Sequence, residues 1–280
     1  VLAHSLVTAK GASPEHYALF LHGILGTRAN WRGVARRVVE QRPEWGAILV
    51  DLREHGDSLD QPPPHTIAAC AEDVAALVES LGLPVRGALG HSFGGKVVLE
   101  WLRERDGTAT SGWIIDSTPS LRSVVHEDGS ETAEVLGVLG SLPTEWDSRE
   151  SFVAAITDSG LTEPIAHWLA MNLRRTEDGG RRFGPDLGTI RTLLVDYADT
   201  DEWPVVESIP EGCSLDFVLG GRSAVVSEED RARLEATAAR NPRLRVHVVP
   251  DAGHWVHVDA PEALISLLAT GFASGSGDGT

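Results

Sequence analysis

The stretch Val85-Arg86-Gly87-Ala88-Leu89-Gly90-His91-Ser92-Phe93-Gly94-Gly95-Lys96 decides how this chain is read. Val85–Leu89 is a short apolar run of the kind that makes a buried strand, and Lys96–Arg105 follows with helical spacing. Between them lies Gly90-His91-Ser92-Phe93-Gly94, a glycine-x-serine-x-glycine turn in a strand–turn–helix setting. A turn this sharp brings its outer positions against neighbouring backbone, and glycine avoids the collision. It lifts the serine to the top edge of a sheet in a strained backbone. The stretch therefore predicts Ser92 as a nucleophile.

Outward from that turn, apolar runs alternate with helical patterns. Tyr17–Leu21 reads as a strand ending at His22-Gly23, and Ala47–Leu52 as another ending at Arg53. Ile67, Cys70, Ala71, Val74, Leu77, Val78 and Leu81 mark one face of an amphipathic helix. Pro62-Pro63-Pro64 precedes it and Gly82 ends it. Trp113–Ile115 is a strand closing on Asp116. Leu215–Leu219 and Arg245–Val249 are two more, and Pro261–Ala269 is a terminal helix. This order predicts an α/β fold, a mostly parallel central sheet with helices on both faces. Such sheets place their ligands at the carboxyl ends of the strands. From about Ser120 to Val206 the alternation stops, and helical patterns run at Glu131–Leu139, Phe152–Thr157 and Ile165–Leu173. The expected organisation is a core of residues 1–119 and 207–272, a helical cap at 120–206, and a flexible Gly/Ser-rich tail at 273–280.

The strand ends supply the candidate chemistry. In His22-Gly23-Ile24, Gly23 keeps a side chain out of the turn, and the Ile24 amide pairs with the Phe93 amide as donors to an oxyanion. His22 is read as structural. A serine needs a base, and of eleven histidines His254 is placed by the chain order serine, acid, histidine, just after the last strand. His257 already enters the next element. The loop after Leu215–Leu219 usually carries the acid, yet here it has no carboxylate before Glu228. Asp116, one strand beyond the nucleophile, is the preferred acid, holding the imidazole tautomer. The competing reading makes Asp116 a cap for the turn Ser117-Thr118-Pro119. Trp146, Trp168 and Met171 are assigned to the walls of an apolar pocket, with Leu25 and Trp255. Ordinary packing accounts for the cap residues equally well.

Composition bounds the partners. The chain has 280 residues, 42% hydrophobic and 23% charged, with a net charge of -17. That field repels phosphate backbones, so nucleic acid is not expected. No stretch approaches the roughly 20 apolar residues of a membrane span. Arg174, Arg175, Arg181 and Arg182 form a local basic cluster, read either as a solvated turn or as a holder for an anionic tail. Cys70 and Cys213 are read as buried small hydrophobes, and no metal-ligand spacing is present. No secretion signal is visible, so a cytoplasmic or organelle-matrix location is expected. A monomer or homodimer is expected.

Four pieces carry a resemblance: Leu21-His22-Gly23, Asp51-Leu52-Arg53-Glu54-His55-Gly56-Asp57-Ser58, Gly90-His91-Ser92-Phe93-Gly94-Gly95-Lys96 and Gly253-His254-Trp255-Val256-His257. The sequence resembles the small α/β-hydrolase esterases of the YbfF type and their mitochondrial abhydrolase relatives, over most of Leu19 to Leu268, with a weaker match at Arg182-Phe183. The resemblance implies the α/β-hydrolase fold, the acid at Asp116, and a later-loop serine, Ser223, as a fourth member of the site. It implies hydrolysis of small acyl esters or acyl thioesters, without a cofactor. The acidity of this chain departs from what a CoA-linked substrate favours. Two other functions remain compatible with the residues: carbon–carbon bond hydrolysis or perhydrolysis on the same triad, and a non-catalytic ligand receptor.

Overall fold

Short continuous apolar runs become strands, and the chain threads them with helices. The computed structural model describes residues 1–103, 109–122 and 131–272. The chain enters as β1 (His4–Val7) and β2 (His16–Leu21), followed by α1 (Arg32–Gln41), which buries Val34, Ala35, Val38 and Val39. Then come β3 (Trp45–Val50), α2 (Ile67–Leu81), β4 (Val85–His91), α3 (Phe93–Arg103) and β5 (Ser111–Ile115). The Thr66 hydroxyl caps α2 by accepting from the Ala69 amide at 3.1 Å, and Gly82 closes it at φ 60°. The sequence started α3 at Lys96; the helix takes over at Phe93, directly after Ser92. Its expected end at Arg105 and the tail 273–280 lie outside the described residues.

After β5 the chain leaves the sheet. It forms α4 (Glu131–Ser141), β6 (Glu145–Trp146), α5 (Arg149–Asp158), α6 (Glu163–Leu169), β7 (Leu173–Arg175), β8 (Arg181–Phe183), α7 (Leu187–Asp199) and α8 (Trp203–Glu207). It returns through β9 (Ser214–Gly220), α9 (Glu228–Ala238), β10 (Leu244–Val249), α10 (Val256–Asp259) and α11 (Pro261–Gly271).

The central sheet has seven strands in the order β1-β3-β2-β4-β5-β9-β10. β1 is antiparallel to β3, and the other pairs are parallel. β3 and β5 are buried along their whole length, as parallel strands covered on both faces must be. The chain runs outward from β2 to β3, then crosses back to place β4 on the other side of β2. That reversal opens a crevice at the carboxyl ends of β2 and β4. His22-Gly23-Ile24 and Ser92 follow those two strands.

The excursion between β5 and β9 is not purely helical. Three short strands pair antiparallel in the order β6-β8-β7. The helical reading of Ile165–Leu173 ends at Leu169, passes a single 3-10 turn and becomes β7. The arginine cluster sits on the paired strands rather than in a solvated turn. Arg174 binds Asp57 at 2.7 Å and Arg182 pairs with Glu145. Buried Val135, Leu136, Leu139, Phe152 and Ile156 of this insertion join the core on one sheet face. Lys96 ties the base of the insertion down. Its buried ammonium donates to the carbonyls of Ser120 (2.9 Å), Tyr197 (2.6 Å) and Thr200 (2.6 Å). No helix among the described residues is long and apolar enough to cross a membrane.

Candidate active site

Ser92 stands in the left-handed region at φ 50°, the conformation a tight strand-to-helix turn forces on a non-glycine residue. Its amide donates to the Ile115 carbonyl at 2.9 Å, and its carbonyl accepts from Gly95 at 2.8 Å. A Cβ on Gly90 would lie 2.0 Å from the Gly94 carbonyl oxygen, so this position admits only glycine. The Phe93 amide opens α3, among the N–H groups for which a helix has no internal acceptor.

Asp116 also holds a positive φ, 45°, and is wholly buried. Its Oδ1 accepts from the Gly220 amide at 2.9 Å. Its Oδ2 accepts from the Ser223 hydroxyl and faces His254 Nδ1 at 2.8 Å. A carboxylate there favours the tautomer with its proton on Nδ1 and leaves Nε2 without one. Glu228 is exposed at the start of α9 and is not the carboxylate that meets His254. His91 Nε2 donates to the His254 carbonyl at 2.9 Å, with the two rings 4.5 Å apart, so His254 is also held through its backbone.

Two buried histidines shape the loop that carries the Ile24 amide. His22 Nδ1 bonds the Gly23 carbonyl at 2.7 Å, and its Nε2 accepts from Leu52 at 3.0 Å. His55 Nδ1 bonds the Arg53 carbonyl at 2.8 Å, and its Nε2 accepts from Leu25 at 2.9 Å. Each ring must be neutral, with its proton on Nδ1, to serve both partners. Desolvation enforces this, lowering His22 to about 4 and His55 to about 3. His22 is thus structural, as its sequence suggests, and His55 is its unforeseen counterpart. The only sign of His55 in the sequence is its place in Arg53-Glu54-His55-Gly56.

A cavity of about 440 Å³, counting its open mouth, holds Ser92 and His254 on its walls. Ile24, Leu25, Trp168 and Trp255 line it, together with Thr132, Val135 and Ile165, which the sequence did not single out. Trp146 and Met171 do not line it. Trp146 packs edge-on against Phe152 at 5.3 Å within the insertion, and Met171 is 39% exposed beside Asn30. Trp168 and Met171 are only three residues apart, but Met171 lies on the 3-10 turn beyond the end of α6. Among the described residues, no group of three or more His, Cys, Asp or Glu side chains is placed to hold a metal ion.

Similarity to known proteins follows the same lines. The chain is 28% identical over 277 residues to the sn-1-specific diacylglycerol lipase ABHD11 of Mus musculus, covering 96% of this chain and 85% of that one. It is 28% identical over 264 residues to Esterase YbfF of Escherichia coli (strain K12), covering 93% and 94%. Among solved structures, a marine microorganism esterase superposes with a TM-score of 0.80 at 21% identity, covering 95% of this chain and 97% of that one. The model of the alpha/beta hydrolase family matches residues 18–267, and the chain belongs to that family.

Proposed function

We propose that this protein hydrolyses small carboxylic esters through an acyl-enzyme on Ser92. Ser92 Oγ attacks the ester carbonyl carbon while its proton passes to His254 Nε2. The carbonyl oxygen, now an oxyanion, takes hydrogen bonds from the Ile24 and Phe93 amides. The tetrahedral adduct collapses, and the alcohol departs with the proton from His254. Water then attacks the acyl-serine, giving a proton to His254, and the acid is released as Ser92 regains its hydrogen. Asp116 steadies the imidazolium, and Ser223 and the Gly220 amide steady Asp116. The insertion serves as a cap that supplies Thr132, Val135, Ile165 and Trp168 to the acyl cavity.

The observation that carries this reading is the buried Asp116 carboxylate bonded at 2.8 Å to His254, on the cavity that also contains Ser92. The esterase and lipase relatives support the same chemistry. Esters are favoured over CoA thioesters because, among the described residues, no Lys or Arg lines the cavity to receive CoA phosphates. A p-nitrophenyl ester series of increasing acyl length tests the reading, alongside labelling of Ser92 by a fluorophosphonate. Turnover that peaks within the series and vanishes in Ser92→Ala is the expected result. Labelling without turnover of any ester would point to a binding protein or to carbon–carbon chemistry and reject it.

A further inference from the structure

A smaller chamber of about 10 Å³, room for one water-sized group, adjoins the Ser92 cavity. Gly23, His91, Trp168 and Trp255 border both spaces, while Asn30 and His257 belong to the chamber alone. The Trp168 and Trp255 rings meet edge to face at 4.7 Å in the shared wall. His257 is 8% exposed and is gripped by the Trp31 ring at 4.8 Å and the His91 ring at 4.9 Å.

Two residues of these walls carry a buried ring nitrogen with no partner among the described residues, Trp168 Nε1 and His257 Nδ1. Buried polar groups are seldom left so, and a pair of them beside one small space asks for a ligand group that serves both. Trp168 can only donate. His257 accepts or donates at Nδ1 according to its tautomer, and burial keeps it neutral by lowering its pKa to about 4. A hydroxyl matches both, taking the indole N–H on a lone pair and completing the imidazole with its proton or its second lone pair. A carboxylate does not match, because among the described residues no Lys or Arg lines the chamber and a buried charge needs one.

The chamber also has a side. A leaving oxygen must come within hydrogen-bond reach of His254 to receive its proton. Trp255 and His257 follow His254 in the same segment, and His91, which holds the His254 carbonyl, borders both spaces. His22, Gly23 and Gly26 line the chamber as well, and the His254 segment is what sets it within reach of the alcohol half of a bound ester.

We propose that Trp168 and His257 form a subsite for a free hydroxyl on the alcohol half of the ester, so that hydroxyalkyl esters are preferred over alkyl esters of equal size. This rests on the ester-hydrolase reading above. The probes are 2-hydroxyethyl butanoate and propyl butanoate, which differ by one hydroxyl in place of a methyl. A site built to bond a hydroxyl discriminates against the analogue lacking it. The expected kcat/KM ratio is about tenfold or more in favour of the hydroxyethyl ester, falling toward one in His257→Leu and in Trp168→Phe. The ratio compares two esters on one protein, so a general loss of activity in a variant cancels. In parallel, Ser92→Ala labelled with ¹⁵N-tryptophan reports on the indole directly. Its Trp168 Nε1–H resonance, identified by its loss in Trp168→Phe, should move on adding the hydroxyethyl ester and stay put with the propyl ester. A wild-type ratio near one, a ratio unchanged in both variants, or an unmoved resonance overturns the subsite. Normal turnover of p-nitrophenyl butanoate with a ratio of one would leave the esterase reading standing and remove only the subsite. If no ester is hydrolysed, the esterase reading fails and the resonance alone decides the chamber.

Discussion

At the scale of single residues, Asp116 sets the terms. Both of its oxygens face donors: the Gly220 amide on Oδ1, the Ser223 hydroxyl and His254 Nδ1 on Oδ2. An asparagine at this position must turn its NH₂ toward one of those donor sets, whichever way it flips. Asp116→Asn should therefore lower kcat by roughly ten-thousandfold, the scale of loss when the imidazole is held in the wrong tautomer. Activity within tenfold of wild type, with an unchanged circular dichroism spectrum, would remove Asp116 from the reaction. Ser223 donates one hydrogen bond to a charged group, worth about 1.5–3 kcal/mol, so Ser223→Ala should cost roughly tenfold to a hundredfold in kcat. The positions of the glycine-flanked Ser92, the post-strand His254 and the carboxylate-free later loop were legible, because each follows directly on the end of a strand. The facing of Trp146 and Met171 was not, since in the insertion it depends on where short turns break the helices.

At the scale of elements, the loop from Gly220 to Val226 takes the place where a carboxylate is usual and instead delivers two donors to Asp116. Arg231, one turn into α9, holds that loop. Its Nη2 donates to the Gly220 carbonyl at 2.8 Å and the Ser223 carbonyl at 3.0 Å, and its Nε to Val226 at 3.1 Å. The two residues whose N–H and O–H reach Asp116 are thus gripped by their own carbonyls. Arg231→Met should lower kcat by about as much as Ser223→Ala, and the double variant should be little worse than either, because residues serving one network are not additive. Strictly multiplicative losses would separate Arg231 from the site. Nothing in the sequence around Arg231 announces this role, since a helix-start arginine reads as surface charge until the loop folds over it. The β6–β8 sheet was illegible for a related reason. Strands of two or three residues have no room for the alternation that identifies them, and the arginines across β7 and β8 mask the pattern further. The parallel strands were legible because burial on both faces leaves unbroken apolar runs.

At the scale of the whole molecule, four histidines among the described residues are kept inside as neutral rings. Desolvation lowers His22 to about 4, His55 to about 3 and His257 to about 4, and sets His91 well below its usual value. In the unfolded chain each returns to about 6.5. A group whose folded pKa is depressed supports the fold above its unfolded pKa and loses that support as pH falls toward the folded value. Between about pH 6.5 and 4 the unfolded chain therefore binds up to four protons that the native protein excludes. One group works in the opposite sense. Buried Glu202 is raised to about 8, so the native state holds its proton in this window while the unfolded chain releases it above about 4.5. The balance leaves roughly three protons taken up on unfolding, a slope of about 4 kcal/mol per pH unit near pH 5. Relief of repulsion among the acidic side chains pulls the other way, but most surface carboxylates gain protons only below about pH 4.5, beneath most of this window. Near pH 8 the loss of Glu202 support is offset by buried Lys96, lowered to about 8, which the unfolded chain protonates more readily. The denaturant midpoint should therefore be nearly level between about pH 7 and 8 and fall steeply from pH 6.5 to 5, at sites remote from the surface and so insensitive to salt. Urea titrations at pH 7.5, 6.5 and 5.5, each at low and high salt, measure it. A midpoint that is level across these pH values would show that the histidines, and with them the loop carrying the Ile24 amide, are not held neutral.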